Sequence, residues 1–341
     1  MIGAIATVIV MIAAVIVHVV TDGYVVNADR APVTPAVLGV QTQREQASPR
    51  QDPSSVHAAP LRAIPAPRRV STVPRLALPS AHAAAVIDAG SGVLLFEQNA
   101  HERRQIASLT KLFTAYIVRS SGVAMDAPVT IRPDALIAEG SRVGCKSTTV
   151  CTGTRLVSGE VLTVQDLLTA MLVSSANDAA VALAQYISGS SEAFVRLMNI
   201  RAREAGLTDT RFCSPNGLET DHPQQECFST AADMARIGVL ALNDRFIWSR
   251  LNTRQATIVS VDGRYTHELI ATNELAQSDA VPGMLGAKTG YTSRAGKSLI
   301  LAAAHPDDAT RRIVAVLLGD PRRWEDIRLL VPWIYRAYRW E

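Results

Sequence analysis

Short apolar runs separated by turn residues stand at both ends of residues 81–320, and helix-period segments fill the space between them. This order of elements limits the fold more than any other feature of the chain. At the near end, AAAVIDAGSGVLLFEQN (83–99) reads as two strands around a turn at Asp88–Gly92. At the far end, the runs 284–292, 297–304 and 311–319 read as an antiparallel meander. Between them, SLTKLFTAYIVRS (108–120) has apolar residues on most sides, as a buried central helix does. Residues 163–174 and 177–188 read as two more helices. Thr163 with Asp166, and Thr230 with Asp233, have the three-residue spacing of helix N-caps. The expected fold class is therefore α+β, with an antiparallel sheet of about five strands formed by the N-terminal hairpin and the C-terminal meander, and a helical block packed against it.

The residues before this region have a different character. Residues 2–20 are apolar except for Thr7 and His18, long enough as a helix to cross a hydrocarbon core of about 30 Å. No basic residue precedes the run and no small-residue cleavage site follows it directly, so an uncleaved anchor is favoured over a secretory signal. Residues 21–80 are rich in Pro, Ala, Arg, Gln and Ser and carry no apolar period, so they cannot bury enough surface to offset their ordering entropy. The expected division is 1–21 anchor or signal, 22–80 linker and 81–341 globular domain.

A formal net charge of +3 on 341 residues gives no basic stripe of the kind a nucleic-acid binder needs. The four cysteines form no CxxC pair, and none has zinc spacing with His. Their short separations suggest local disulfides Cys145–Cys151 and Cys213–Cys227, which persist outside the reducing cytoplasm. Arg supplies nearly all the positive charge. The lysines are Lys111, Lys146, Lys288 and Lys297. An ammonium can lose its proton when buried and a guanidinium effectively cannot, so these few lysines mark positions to inspect.

In Ser108-Leu109-Thr110-Lys111 the serine and lysine share one helix face. Ser108 stands in the first turn, where backbone N–H groups lack intrahelical partners and negative charge is favoured. A hydroxyl beside an amine in that position suits serine acylation, although by itself the pattern equally fits a capping serine and a solvated lysine. Ser175-Ala176-Asn177 joins two apolar helices, where both residues also serve as ordinary turn and cap residues. Lys288-Thr289-Gly290 lies in a strand, where a lysine is unusual unless it has a partner or deters edge pairing. Gly290 lets another backbone approach, and an extended ligand can add along such an edge.

Together, SxxK, a Ser-x-Asn motif and KTG in this order resemble the motif set of β-lactamases and penicillin-binding proteins. The likeness extends from about residue 81 to 320, through LTVQDLLTAMLVSSANDAAVALA, FCSPNGLETD and AKTGYTSRAGKSLILAAA, and is greatest to the D-Ala-D-Ala carboxypeptidases among low-molecular-mass penicillin-binding proteins. It implies a β-lactamase/transpeptidase-like fold. It implies Ser108 as nucleophile, Lys111 as a neutral amine base, and Ser175 and Asn177 in the catalytic hydrogen-bond network. Lys288 and Thr289 would grip the substrate carboxylate beside Gly290, and the N–H groups of Ser108 and Tyr291 would hold the oxyanion. The implied substrate is a peptidoglycan stem ending in D-Ala-D-Ala, with β-lactams as covalent inhibitors and no metal or organic cofactor.

Three departures accompany the resemblance. Thr272 stands where some relatives have Arg before the counterpart of Asn273. The Cys145–Cys151 segment looks like an insertion before the second motif, and the chain ends soon after RRIVAVLLGD, so the N-terminal segment would replace the C-terminal anchor of the family. A D,D-endopeptidase of the same family is the near alternative, and a non-catalytic cell-wall-binding membrane protein is the alternative of another class. A β-lactamase is disfavoured because no Glu is clearly placed to activate a deacylating water. There is no GxSxG elbow, and His267-Glu268 does not continue to HExxH because Ala271 stands at the second His position.

Overall fold

Every residue of Ala83–Asp88 is buried, although its strand lies in an antiparallel sheet. A half-solvated antiparallel strand alternates buried and exposed residues, so a fully buried one requires cover on both faces. The computed structural model, which describes residues 64–146, 149–218 and 226–341, shows that cover. The segment expected to be an anchor and most of the expected linker lie outside the described residues.

In chain order the strands are β1 (Arg68–Arg69), β2 (Ala83–Asp88), β3 (Leu94–Gln98), β4 (Pro128–Thr130), β5 (Val161–Thr163), β6 (Gln255–Val259), β7 (Thr266–Ile270), β8 (Met284–Thr292), β9 (Gly296–His305), β10 (Asp308–Leu318) and β11 (Tyr338–Arg339). The helices are α1 (Thr110–Ser120), α2 (Pro133–Leu136), α3 (Val164–Val173), α4 (Asn177–Ser188), α5 (Ser191–Glu204), α6 (Ala231–Ala241), α7 (Arg245–Leu251) and α8 (Arg323–Ala337). The main sheet has five strands in the order β3-β2-β10-β9-β8, with every pairing antiparallel. The N-terminal hairpin thus rejoins the C-terminal meander, as the order of apolar runs requires. β8 is left at one edge.

Alternate residues of the central strands enter two separate cores. Ala83, Ala85, Ile300, Ala302, Val314 and Val316 face the helical block with Leu112 and Phe113 of α1, Leu168 of α3 and Met234 of α6. Ala84, Val86, Leu299, Leu301, Ala315 and Leu317 face α8 through Ile327, Leu330, Val331 and Ile334. Each of those four α8 side chains is fully buried, worth at most about 1.5–3 kcal/mol apiece in apolar transfer. Residues 327, 330, 331 and 334 have the i, i+3, i+4, i+7 spacing of a helix face, so α8 was readable in the sequence. Pro332 inside the helix obscured it, because proline removes one helical hydrogen bond. The sequence reading also missed α5, α7 and the β6–β7 hairpin.

The expected caps are present. Thr163 Oγ1 accepts from Asp166 N at 3.0 Å, and Thr230 Oγ1 accepts from Asp233 N at 3.0 Å. Both expected disulfides, Cys145–Cys151 and Cys213–Cys227, are formed. Packing begins before residue 81, the boundary expected from composition. Leu78 is buried, β1 pairs with β11, and Trp333 Nε1 donates to Pro74 O at 3.0 Å. This segment is held by α8 and β11, which a composition argument does not see. Among the described residues, no helix is long and apolar enough to cross a membrane.

His267 on β7 points inward and is fully buried beside Glu160, with Nε2 2.6 Å from Glu160 Oε1. Its Nδ1 donates to Thr154 O at 2.9 Å. The pair fastens the chain returning from the Cys145–Cys151 disulfide to the β6–β7 hairpin. Removing one partner of a buried ionisable pair leaves the other unsatisfied, so Glu160→Ala should lower unfolding free energy by about 3–5 kcal/mol, measured by chemical denaturation.

Candidate active site

Ser108 lies in a 3-10 turn, Ala107–Leu109, that leads directly into α1. Leu109 N donates to Ile106 O at 3.2 Å and closes the turn. The preceding residue, Ala107, has φ +49°, a left-handed conformation that a side chain disfavours. Ser175, between α3 and α4, has φ +59°. Two strained non-glycine residues at one locality are characteristic of a site whose geometry is fixed by its surroundings. Two glycines permit the close contacts that fix it. A Cβ on Gly217, which has φ +82°, would come within 2.0 Å of Ala107 O. A Cβ on Gly290 would come within 2.8 Å of Ile106 O. The backbone that Gly290 admits is therefore that of the Ser108 turn itself.

One turn after Ser108, Lys111 is fully buried. Its Nζ lies 2.7 Å from Ser108 Oγ and 2.8 Å from Asn216 O. A carbonyl can only accept, so an Nζ–H points at Asn216 and the amine is oriented with its remaining positions towards the hydroxyl. Burial pushes the Lys111 amine well below the usual lysine range, the Lys288 charge pushes it the same way, and Asp178 opposes them. The Asp178 carboxyl is itself raised to about 6 by burial, against the backbone hydrogen bonds from Val143 and Ala179. Burial without a strong counter-charge is the condition for an amine that takes up a hydroxyl proton.

A second buried amine stands beside the first. Lys288 on β8 has Nζ 2.9 Å from Ser175 Oγ and 2.8 Å from Thr289 O. Burial pushes this amine down to about 7, with the Arg323 charge adding to the shift. Arg323, at the start of α8, donates to Gly290 O at 3.2 Å and to Ser298 O at 3.4 Å, supporting β8 from behind. Thr289 Oγ1 is paired with Thr272 Oγ1 at 2.7 Å. Asn177 is tied through Nδ2 to Glu139 O and through its backbone N to Ser141 O at 2.7 Å. Its Oδ1 is buried without a partner among the described residues, so an acceptor is available there for a ligand N–H. The Tyr291 side chain is exposed at the end of the KTG strand.

The three sequence motifs therefore converge, with Ser108 and Lys111 linked to each other, Ser175 linked to Lys288, and Thr289 linked to Thr272. The sequence reading did not foresee Asn216 as the acceptor that orients Lys111. The Asn-Gly pair at 216–217 is a turn signal that could have drawn attention to it. Nothing local in the sequence marks Arg323 or Asp178 as neighbours of the two amines. Among the described residues, no three His, Cys, Asp or Glu side chains are grouped to hold a metal ion.

The family profile described as D-alanyl-D-alanine carboxypeptidase matches residues 71–322. The chain is 32% identical over 263 residues to the D-alanyl-D-alanine carboxypeptidase DacC of Escherichia coli, covering 74% of this chain and 60% of that protein. It is 29% identical over 251 residues to a D-alanyl-D-alanine endopeptidase of Pseudomonas aeruginosa, covering 74% and 76% of the two chains. A penicillin-binding protein of Listeria monocytogenes, solved in its cefotaxime-bound form, superposes with a TM-score of 0.62 at 30% identity over 77% of this chain and 99% of that one. The match spans about three fifths of the length of the first carboxypeptidase relatives, 60% and 63%.

The amine of Lys111 is testable separately from any substrate. Lys111→Met keeps the volume and removes the amine, and acylation of Ser108 by a reactive ester is expected to slow by about 10²–10⁴-fold. Melting temperature should hold or rise, because the desolvation of a buried amine is relieved.

Proposed function

The chain belongs to the D-alanyl-D-alanine carboxypeptidase family, and from that premise we propose that it removes the terminal D-alanine from peptidoglycan stems ending in D-Ala-D-Ala through an acyl-enzyme on Ser108. The observation that carries the reading is the 2.7 Å approach of a fully buried Lys111 amine to the Ser108 hydroxyl.

In this reading Ser108 Oγ attacks the penultimate D-Ala carbonyl while its proton passes to Lys111. The N–H groups of Ser108 and Tyr291 hold the developing oxyanion. Lys288, as an ammonium, and Thr289 grip the terminal carboxylate, and Asn177 Oδ1 accepts from a substrate amide. The proton returns to the leaving amine across Ser175 and Lys288, the C–N bond breaks, and D-alanine departs. Water then hydrolyses the ester with Lys111 again as base. A β-lactam presents a carboxylate and a reactive amide at the same positions and is expected to acylate Ser108. Such a substrate places the enzyme on the outer side of the cytoplasmic membrane, which is consistent with two disulfides and with residues 2–20 acting as an anchor.

Incubation with penicillin should add one inhibitor mass to the protein and none to Ser108→Ala, and a pentapeptide stem should yield free D-alanine. Absence of the adduct on the unaltered protein would contradict the reading. Adduct formation with cleavage of cross-links and no D-alanine release would make the chain a D,D-endopeptidase.

The two amines also set a pH dependence of opposite signs. Lys111 must be neutral, so kcat/KM rises with pH through its lowered value. Lys288 must be charged, and it loses its proton as pH rises through about 7 in the free enzyme. The profile of kcat/KM should therefore be bell-shaped, with its alkaline limb near neutrality. A plateau extending to pH 9 would be inconsistent with this assignment.

A further inference from the structure

α4 begins at Asn177, and its first turn is held from outside the helix. The chain at 139–143 lies along that turn and meets it at every second residue. Glu139 O accepts from Asn177 Nδ2, and Ser141 O accepts from Asn177 N at 2.7 Å. Val143 N donates to both carboxylate oxygens of Asp178, at 3.2 and 3.1 Å. The approach is close. Gly140 has φ +76°, and a Cβ there would come within 2.9 Å of Asn177 Nδ2. Val143 and Asp178 are both buried. Beyond them, Arg142 donates to Leu136 O at 3.2 Å and exchanges backbone hydrogen bonds of 2.9 Å with Cys145, where the disulfide to Cys151 closes the segment.

Two of the three attachments belong to Asn177 and fix its carboxamide. The carbonyls of Glu139 and Ser141 can do so only if the segment that carries them is itself fixed. Asp178 supplies the third attachment. Without its carboxylate the Val143 N–H would be buried and unpaired, and the segment would shift to satisfy it. The charge of Asp178, by contrast, works against the chemistry. It favours a protonated Lys111, whereas the proposed reaction needs the neutral amine. The value of this side chain therefore lies in its acceptor oxygens. They take Val143 N from the segment and, through Oδ1, Ala179 N from the helix at 2.9 Å, so one residue joins the two.

We propose that Asp178 is a positioning residue, which holds the 139–143 segment so that Glu139 O and Ser141 O keep the Asn177 carboxamide aimed at the substrate. The proposal rests on the function given above, in which Asn177 Oδ1 accepts from a substrate amide. Asp178 takes no part in bond making. It acts through Val143 and the two carbonyls that precede it.

The test follows acylation of Ser108 by penicillin, read as intact mass over time, in the full chain and four variants, well below the lowest melting temperature among them. Asn177→Ala should slow acylation by about 10²-fold through loss of a placed hydrogen-bonding group. Asp178→Ala should slow it by about 10- to 100-fold, because a misplacement of about 1 Å suffices for that. The double variant Asn177→Ala/Asp178→Ala should lie within about 3-fold of Asn177→Ala, since the same carboxamide is lost only once. Asp178→Asn keeps an acceptor for Val143 N and removes the charge, so it should stay within about 3-fold of the unaltered protein. A double variant slowed by the product of the two single effects would overturn the inference, because Asp178 would then act independently of Asn177. Asp178→Asn as slow as Asp178→Ala would overturn it too, and this arm decides the matter where Asp178→Ala does not fold. Acylation of Asn177→Ala at the unaltered rate would also overturn it. Each of these results leaves the proposed function standing, because the unaltered protein forms the adduct. If the unaltered protein forms none, the function falls and the inference falls with it.

Discussion

The burial of the Lys111 amine against the Ser108 hydroxyl is the constraint to which the rest of the site conforms. A charged amine without a strong counter-ion is costly in a protein interior, and among the described residues the opposing charge is Asp178, with its own carboxyl pushed up by burial. The energetic disfavour of the charged form is what makes a lysine serve as a base near neutral pH. Keeping the amine dry requires close cover. Gly217 and Gly290 let two backbone segments lie against Ala107 and Ile106, closer than any side chain would allow. The left-handed Ala107 turns the chain so that Ser108 meets the amine one helical turn on.

The second amine depends on the sheet. Lys288 sits on the edge strand β8, where a ligand can approach along the strand. It is held to Ser175, a residue whose own conformation is strained at the α3–α4 junction. The five-stranded sheet carries these groups rigidly because it is covered twice, by the helical block on one face and α8 on the other. α8 also brings Arg323 behind β8, so the helix that completes the second core biases the proton affinity of Lys288.

Much of this was legible in the sequence. The hairpin, the meander and the capped helices follow from apolar periods and from Thr163 and Thr230, because local chemistry decides those elements. The pairings of Ser108 with Lys111 and of Cys145 with Cys151 are local, and so they were readable. The partners that orient and tune the amines are not local. Asn216 is 105 residues from Lys111, and Arg323 is 33 from Gly290, and only the fold brings them together. α8 was hidden by Pro332, and the docking of residues 68–80 by a polar, proline-rich composition that β1, Pro74 and Leu78 nevertheless anchor.

The proton affinity of Lys111 is open to direct measurement, because lysine occurs at only four positions, 111, 146, 288 and 297. Selective isotope labelling of lysine and titration of the side-chain signals by NMR would follow all four, with Lys111→Met assigning one of them. The account predicts that the signal lost in Lys111→Met titrates well below the ordinary lysine value of about 10.4. A Lys111 signal that titrates at that ordinary value would contradict the account, because the amine would then be a cation at neutral pH and could not take the proton of Ser108.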